Sequence, residues 1–230
     1  MQDANPTTHS ADLRRMMVDC QIRTFDVTDQ TVLAAMLETP RELFVGAANA
    51  AIAYSDAPLV LKGAALSRRL LAPMVLARLL QNAEFTPSCR ALDVAGAAGY
   101  SAAVMAKLAG KVIALESDPE FTAQTRANCA AAGVGNVDPV TGPIRQGSPE
   151  NSPYDVILVN GVVQEGIEDL LARLAPNGRL LAICCAPGRD GRSAKAVRYD
   201  NIAGKFSMRP LFDAAGVTLP EFAARPAFAF

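Results

Sequence analysis

One stretch constrains the fold of this chain more than any other, because it joins two apolar runs through a turn of small residues. The first apolar run is Ala91–Val94, the turn is Ala95–Gly99, and the second run is Val112–Asp118, with Glu116 near its end. A strand, a small-residue turn, a helix, a second strand and an acid are typical of a nucleotide-type cofactor site. There the helix N-terminus offers free N–H groups and the acid accepts hydrogen bonds from ribose hydroxyls. The alternative is an ordinary strand–helix turn, with Glu116 solvated at a strand end.

Apolar runs separated by helical patterns predict one α/β sheet. The predicted strands are Arg90–Val94, Lys111–Leu115, Asn136–Val140, Tyr154–Val159, Pro176–Cys185, Ala194–Tyr199 and Lys205–Leu211. Helical patterns of 10–15 residues separate most of the first five strands, which indicates parallel pairing with right-handed crossovers. Only a short turn separates the last two strands, so we expect an antiparallel hairpin there. The prediction is therefore a mostly parallel, seven-stranded sheet with an antiparallel C-terminal hairpin.

The first 69 residues have a different pattern. Thr28 or Asp29 can cap a helix that runs to about Glu38, where Pro40 stops it, and an Ala- and Gly-rich loop follows. We therefore expect residues 1–69 to form a helical and loop extension packed on a main domain of residues 70–230. A chain of 230 residues is long enough for one such α/β domain.

Composition excludes several classes of function. The net charge is −1, so no overall positive field attracts nucleic acid or an anionic membrane. No apolar run reaches the ~18 residues that a membrane span needs. With five Cys, no Cys-x-x-Cys pair and one His, no Cys/His zinc site is expected. We expect reduced thiols in a cytoplasmic protein without a metal, and the oligomeric state stays open.

Seven blocks of sequence, in the same order, resemble the protein-L-isoaspartate O-methyltransferase family in its short bacterial form. They are Met17–Val45, Ala53–Leu59, Ala72–Leu80, Leu92–Gly110, Val112–Glu116, Tyr154–Gly161 and Leu174–Ile183. The glycine turn alone is nonspecific. The N-terminal block and the segment AYSDAPL are not shared by methyltransferases in general, so they give the resemblance its specificity.

The resemblance implies a Rossmann-like S-adenosylmethionine-dependent methyltransferase fold and S-adenosyl-L-methionine as methyl donor. The acceptor would be the α-carboxylate of an L-isoaspartyl residue in a damaged protein or peptide. A carboxylate is already a nucleophile, so such an enzyme mainly aligns the reacting atoms and excludes water. The implied cofactor-binding residues are Asp93, Ala95, Gly96, Gly99, Tyr100, Glu116 and Asn160. The candidate catalytic residues of the substrate loop are Asp56, Ser67 and Arg69.

The cofactor half of the expected site departs from the family pattern. Family members usually have glycines where Ala95 and Ala97 stand, and each added methyl group disfavours positive φ and narrows the space for a ligand. Pro143 stands where the family has an Asp near the adenine amino group, and a proline side chain cannot accept that hydrogen bond. Tyr100 could line the cofactor pocket or pack on its helix.

The substrate half departs as well. Arg69 and Leu71 occupy the places of a Thr and a Ser whose hydroxyls help to hold the isoaspartyl substrate in the family. Arg68 and Arg69 could bind a substrate carboxylate as a pair, or lie at the solvated start of a helix. Asp56 could contact substrate or hold its own turn together.

These departures leave two alternatives to isoaspartyl repair. In the first, the chain is a catalytically impaired homologue that acts as a binding or regulatory module. In the second, it methylates a different carboxylate substrate.

Overall fold

A computed structural model describes residues 6–187, 189 and 191–224. Within them the strands are β1 Leu59–Lys62, β2 Ser67–Leu70, β3 Arg90–Val94, β4 Lys111–Glu116, β5 Val137–Thr141, β6 Tyr154–Val163, β7 Leu174–Cys184, β8 Ala194–Ile202 and β9 Lys205–Ala214. The α-helices are α1 Pro6–Met16, α2 Gln30–Glu38, α3 Pro73–Gln81, α4 Tyr100–Met105, α5 Pro119–Ala131 and α6 Glu168–Leu171. In this part of the chain no helix combines the length and apolar character that a membrane crossing requires.

The main sheet, in the described residues, has the seven strands β3–β9 in the order β5-β4-β3-β6-β7-β8-β9. The first five are parallel, and β7, β8 and β9 follow one another in antiparallel pairs. The predicted α/β fold, with its parallel sheet and antiparallel C-terminal hairpin, is confirmed. Successive crossovers run outward in opposite directions from β3 and β6, so a crevice opens at the carboxyl ends of these two strands.

The central strands are continuous apolar runs in the sequence because the core covers both faces of the sheet. Along β3, Ala91 lies in one hydrophobic cluster, and Leu92 and Val94 lie in another. Because successive side chains of a strand point to opposite faces, these clusters cover the two faces of the sheet. Both faces of β3 are therefore packed against the core, and the crevice at its carboxyl end is built on a buried strand.

Residues 59–70 form a feature that the sequence did not predict. Instead of a loop, β1 and β2 pair as an antiparallel hairpin, with Leu61 opposite Arg68 and Val60 opposite Arg69. This hairpin is a separate two-stranded sheet and shares no strand pairing with the main sheet. The pattern was hidden because a charged residue, Arg68, takes a buried position in the alternation. The division of the chain at residue 70 stays a prediction.

Candidate functional site

The floor of the crevice is a hydrogen-bonded pair at the ends of β3 and β6. The amide of Asn160 donates to Asp93 Oδ1 (2.7 Å) and to the carbonyl oxygen of Val94 (3.1 Å). The hydroxyl of Ser101, in α4, donates to Asp93 Oδ2 (2.8 Å). Burial raises the pKa of Asp93 to about 6, against the lowering effect of the two side-chain hydrogen bonds. Asp93 therefore fixes the turn between β3 and α4, and the structure brings the predicted residues Asp93 and Asn160 together.

The turn after β3 has the backbone shape of a glycine turn although two of its residues are alanines. Ala95 has φ 58°, Ala97 has φ 53° and Gly99 has φ 92°. Gly96 is required for a different reason: a Cβ at this position would lie 2.1 Å from Asp93 Oδ2. The alanines thus adopt the left-handed conformation at a cost of about 1–2 kcal/mol each.

The two alanine methyl groups lie in the core. Ala95 is fully buried in the cluster that contains Leu92 and Val94, and Ala97 is 1% exposed in the cluster on the other face. The sequence predicted that these methyl groups would narrow the ligand space. Their burial shows that their main contacts are with the protein, and this packing offsets part of the strain.

A glycine at position 97 tests this balance. In Ala97→Gly, relief of the left-handed strain (~1–2 kcal/mol) opposes the loss of a buried methyl group (~0.8 kcal/mol) and the flexibility of an unfolded glycine (~0.5–1 kcal/mol). We expect the unfolding free energy to change by less than about 1 kcal/mol in urea titrations. The control is Ala103→Gly, in α4, which relieves no strain and is expected to cost about 2 kcal/mol. An equal loss in both variants would contradict the expected strain at Ala97.

The acid at the end of β4 is buried, and both of its carboxylate oxygens accept hydrogen bonds. Glu116 is 3% exposed. Its Oε1 accepts the Ala97 N–H (2.8 Å), and its Oε2 accepts the N–H of Ser117 (3.2 Å). Nε of Arg68 lies 3.1 Å from Oε2 and 3.3 Å from Oε1. Burial raises the pKa of Glu116, while the charge of Arg68 and the Ala97 N–H act against this rise.

Arg68 joins three segments of the chain that are far apart in sequence. Besides Glu116, its guanidinium donates to both carboxylate oxygens of Glu221, at 2.8 and 3.2 Å, and to the hydroxyl of Ser117 at 3.0 Å. Ser117 in turn donates to Glu221 at 2.8 Å. We call Arg68, Glu116 and Glu221 the charge cluster. Sequence reasoning missed Glu221 and Ser117, since no local pattern links Glu221 to a residue 153 positions earlier.

The structure separates the two adjacent arginines that the sequence offered as a pair. Because they follow each other in β2, Arg68 is buried and Arg69 is exposed. Among the described residues, no ion pair to Arg69 is found. That both arginines hold one substrate carboxylate stays a prediction. In this arrangement the guanidinium of Arg68 is held by Glu116 and Glu221, whereas that of Arg69 is available to a ligand.

Arg69 lies beside a pocket of about 460 Å³ at the carboxyl edge of the main sheet. The pocket lies between the hairpin, the end of β6 and the segment 215–220. Its lining includes Ser67, Arg68, Arg69, Val75, Asn160 and Leu219. The structure thus brings Ser67 and Arg69 together with Asn160, in a space with mostly apolar walls.

The other predicted residues lie outside this pocket. Asp56 is exposed, and its carboxylate accepts the N–H of Met74 in the first turn of α3 (3.3 Å), which is the structural role considered for it. Tyr100 is 1% exposed, and the guanidinium carbon of Arg41 lies 4.5 Å from its ring centroid. Pro143 is exposed beyond the end of β5. For Tyr100, packing in the core is what the structure shows, and a contact with cofactor stays a prediction.

Comparisons with known proteins show which family the chain belongs to. The family model "Protein-L-isoaspartate(D-aspartate) O-methyltransferase (PCMT)" matches residues 14–221. The chain is 37% identical to the protein-L-isoaspartate O-methyltransferase of Methanoculleus marisnigri, over 74% of this chain and 76% of that protein. It is 38% identical to the protein of the same name from Methanoregula boonei, over 74% and 77% of the two chains.

A solved structure shares the fold. It is described as a putative protein-L-isoaspartate O-methyltransferase from Plasmodium falciparum in complex with S-adenosyl-L-homocysteine. The TM-score is 0.73 at 22% identity, over 93% of this chain and 98% of that one. From the family model and these relatives together, we conclude that the chain belongs to the protein-L-isoaspartate(D-aspartate) O-methyltransferase family.

Proposed function

We propose that this chain transfers a methyl group from S-adenosyl-L-methionine to the carboxylate of L-isoaspartyl residues in damaged proteins or peptides. One observation supports this most strongly: in a chain of this family, the carboxyl edge of β3 and β6 opens into a pocket with one exposed arginine.

The substrate half is suited to a carboxylate in an apolar setting. Arg69 is exposed beside the pocket, and a guanidinium binds a carboxylate through two parallel hydrogen bonds. Ser67 lies on the same face of β2 and offers a hydroxyl. Apolar walls such as Val75 and Leu219 exclude water, which strengthens the charge interaction. Arg69 would thus hold and orient the acceptor, and no general base is needed.

The cofactor half does not fit adenosine in the described arrangement. A carboxylate accepts about four hydrogen bonds, and Glu116 already accepts from three N–H groups, those of Ala97, Ser117 and Arg68, the last shared between its two oxygens. The two ribose hydroxyls need two acceptor sites, and this arrangement leaves room for only one. The arrangement therefore has to change before the cofactor can bind.

Methyl transfer to a defined peptide tests the proposal. Methyl-labelled S-adenosyl-L-methionine would be supplied with an L-isoaspartyl peptide or with the same peptide containing normal L-aspartate. We expect base-labile methyl ester only with the isoaspartyl peptide. Methylation of neither peptide would refute the proposed activity, and equal methylation of both would refute the substrate.

The role of Arg69 has its own test. Because hydrogen bonds to charged groups contribute ~1.5–3 kcal/mol, Arg69→Gln should raise the KM for the isoaspartyl peptide about 10- to 100-fold. The KM for S-adenosyl-L-methionine should change little. The matched control is Lys62→Gln, which removes a positive charge from the same hairpin at a residue outside the pocket lining. A similar KM increase in both variants would indicate a general charge effect.

A second function is favoured by the charge cluster itself. If Arg68 stays permanently on Glu116, the chain is a homologue that does not use the cofactor and acts as a binding module.

For location we propose the cytoplasm, a choice supported by the five cysteines, all of which are free thiols. The predictions that the chain binds neither nucleic acid nor a membrane stay predictions.

A further inference from the structure

We propose that Arg68 occupies the ribose position of the cofactor site, and that S-adenosyl-L-methionine binds only after the hairpin withdraws Arg68 from Glu116. This inference rests on the proposed function, since it concerns how the same site is opened. The acid expected to hold ribose, Glu116, instead forms an ion pair with the guanidinium of Arg68 (3.1 Å).

The first support is the fit of Arg68 to the position. Its side chain is 1% exposed and that of Glu116 is 4% exposed, so this ion pair is shielded from water. A guanidinium presents several N–H donors in one plane, and Arg68 uses them on Glu116, Glu221 and Ser117. It thus supplies the hydrogen-bond donors that ribose hydroxyls would otherwise supply.

The second support is that Arg68 belongs to a hairpin that is held to the domain by side-chain packing and a few hydrogen bonds, with Leu59, Leu61 and Leu70 buried in the core. The hairpin shares no strand pairing with the main sheet, so it can shift without breaking a strand pair there. Its tip is held by one carboxylate, Asp118, whose Oδ2 accepts the N–H of Ala65 (2.9 Å). The tip also lies close to α5, because a Cβ on Gly63 would lie 2.4 Å from the same oxygen. Together with the hydrogen bond from Asn49 to the carbonyl oxygen of Val60 (3.1 Å), these contacts can be exchanged without loss of strand pairing, whereas Glu116 is fixed by the pairing of the main sheet.

The third support is the second carboxylate. Glu221 lies in a short 3₁₀ helix, Pro220–Phe222, that is bound to β6 through backbone hydrogen bonds from Leu219 to Val162 (3.0 Å) and from Gln164 to Phe222 (3.1 Å). The bidentate contact of Arg68 with Glu221 therefore fastens the hairpin to the C-terminal segment. In the proposed closed form, Arg68 is held by two carboxylates, Glu116 and Glu221.

The test measures binding of S-adenosyl-L-homocysteine by calorimetry to the full chain and to variants. If the closed form predominates, the apparent affinity is lowered by the fraction of open molecules. Arg68→Gln, which cannot hold the two carboxylates together, should therefore bind about tenfold more tightly or better. Glu221→Gln loosens Arg68 without leaving Glu116 unpaired, and should tighten binding by a smaller factor. This second variant keeps the test valid if Arg68→Gln folds poorly.

A matched control is Arg198→Gln. Arg198 is also buried between two carboxylates, Glu84 (2.5 Å) and Asp200 (2.7 Å), none of which lines the pocket or contacts Glu116. We expect this variant to lower the melting temperature and to leave ligand affinity unchanged. A gain of affinity in Arg198→Gln would overturn the proposal, because loss of any buried ion pair would then have the same effect.

A readout on the wild-type chain is independent of these variants. Saturation with S-adenosyl-L-homocysteine should speed hydrogen exchange at the amide of Ala65, which donates to Asp118 (2.9 Å) across the contact that holds the hairpin tip. Unchanged or slower exchange at this amide in the ligand-saturated protein would overturn the proposal. Equal ligand affinity of wild type, Arg68→Gln and Glu221→Gln would overturn it and leave the proposed function standing. Binding by none of them would refute the cofactor, and with it both proposals.

Discussion

Replacement of Gly96 by alanine is expected to destabilise the protein by about 3 kcal/mol or more. The added Cβ would lie 2.1 Å from Asp93 Oδ2 and 2.8 Å from Ser101 Oγ. Asp93 cannot easily move away, because Asn160 holds its other carboxylate oxygen at 2.7 Å in a buried site. Thermal unfolding followed by circular dichroism should show a melting temperature lower by roughly 10 °C.

The matched control is Gly135→Ala. Gly135 is exposed and a Cβ there would meet nothing within 4 Å. This variant should keep the wild-type stability within about 0.5 kcal/mol. If Gly96→Ala were as stable as Gly135→Ala, the turn would be able to relax, and the contact between Asp93 and the turn would not limit the residue at position 96.

Replacement of Asp93 by asparagine is expected to change how stability depends on pH. The pKa of Asp93 is raised by burial from its ordinary 3.8 to about 6. The native state therefore binds this proton more tightly than the unfolded state does. The contribution of protonated Asp93 to the unfolding free energy is fully present below pH 3.8 and is lost as the pH rises through 6.

Because asparagine does not titrate, the variant Asp93→Asn does not lose this stability as the pH rises. The unfolding free energy of the variant minus that of the wild type should rise between about pH 4 and pH 6, by on the order of 3 kcal/mol at most. Urea titrations at several pH values measure this difference. The comparison depends on the slope with pH, so a constant cost from altered hydrogen bonds to Ser101 and Asn160 does not affect it.

The control for this experiment is Asp213→Asn. The pKa of Asp213 is lowered by its hydrogen bond and ion pair with Lys195, so its stabilising effect is lost only as the pH falls below its ordinary 3.8. Between pH 4 and pH 6, the difference between this variant and the wild type should stay flat. A flat difference for Asp93→Asn as well would show that Asp93 is ionised throughout this range.

The sequence predicted the main sheet well, because its strands are apolar on both faces. Runs such as Val112–Leu115 have to be buried on both sides, and the helical patterns between them set parallel pairing. The turn after β3 and the acid Glu116 were found for a similar reason. Their spacing along the chain is local, and the chemistry of a strand end follows from the residues at that end.

The hairpin was missed because alternation in β2 is broken by a buried charge. The sequence alone predicts that the charged side chain of Arg68 is exposed to solvent. An arginine can be buried only when carboxylates from other parts of the chain pair with it. Those carboxylates, Glu116 and Glu221, lie 48 and 153 positions away. No periodicity links residues at such separations.

The sequence by itself thus determined the α/β fold, the family and the place of the crevice, since these depend on local patterns of apolar and small residues. Only the tertiary structure decided the state of the site. It buried the methyl groups of Ala95 and Ala97 in the core and placed Arg68, rather than open space, against Glu116. The physical reason is that an ion pair between distant segments is set by how the hairpin and the C-terminal segment pack on the sheet.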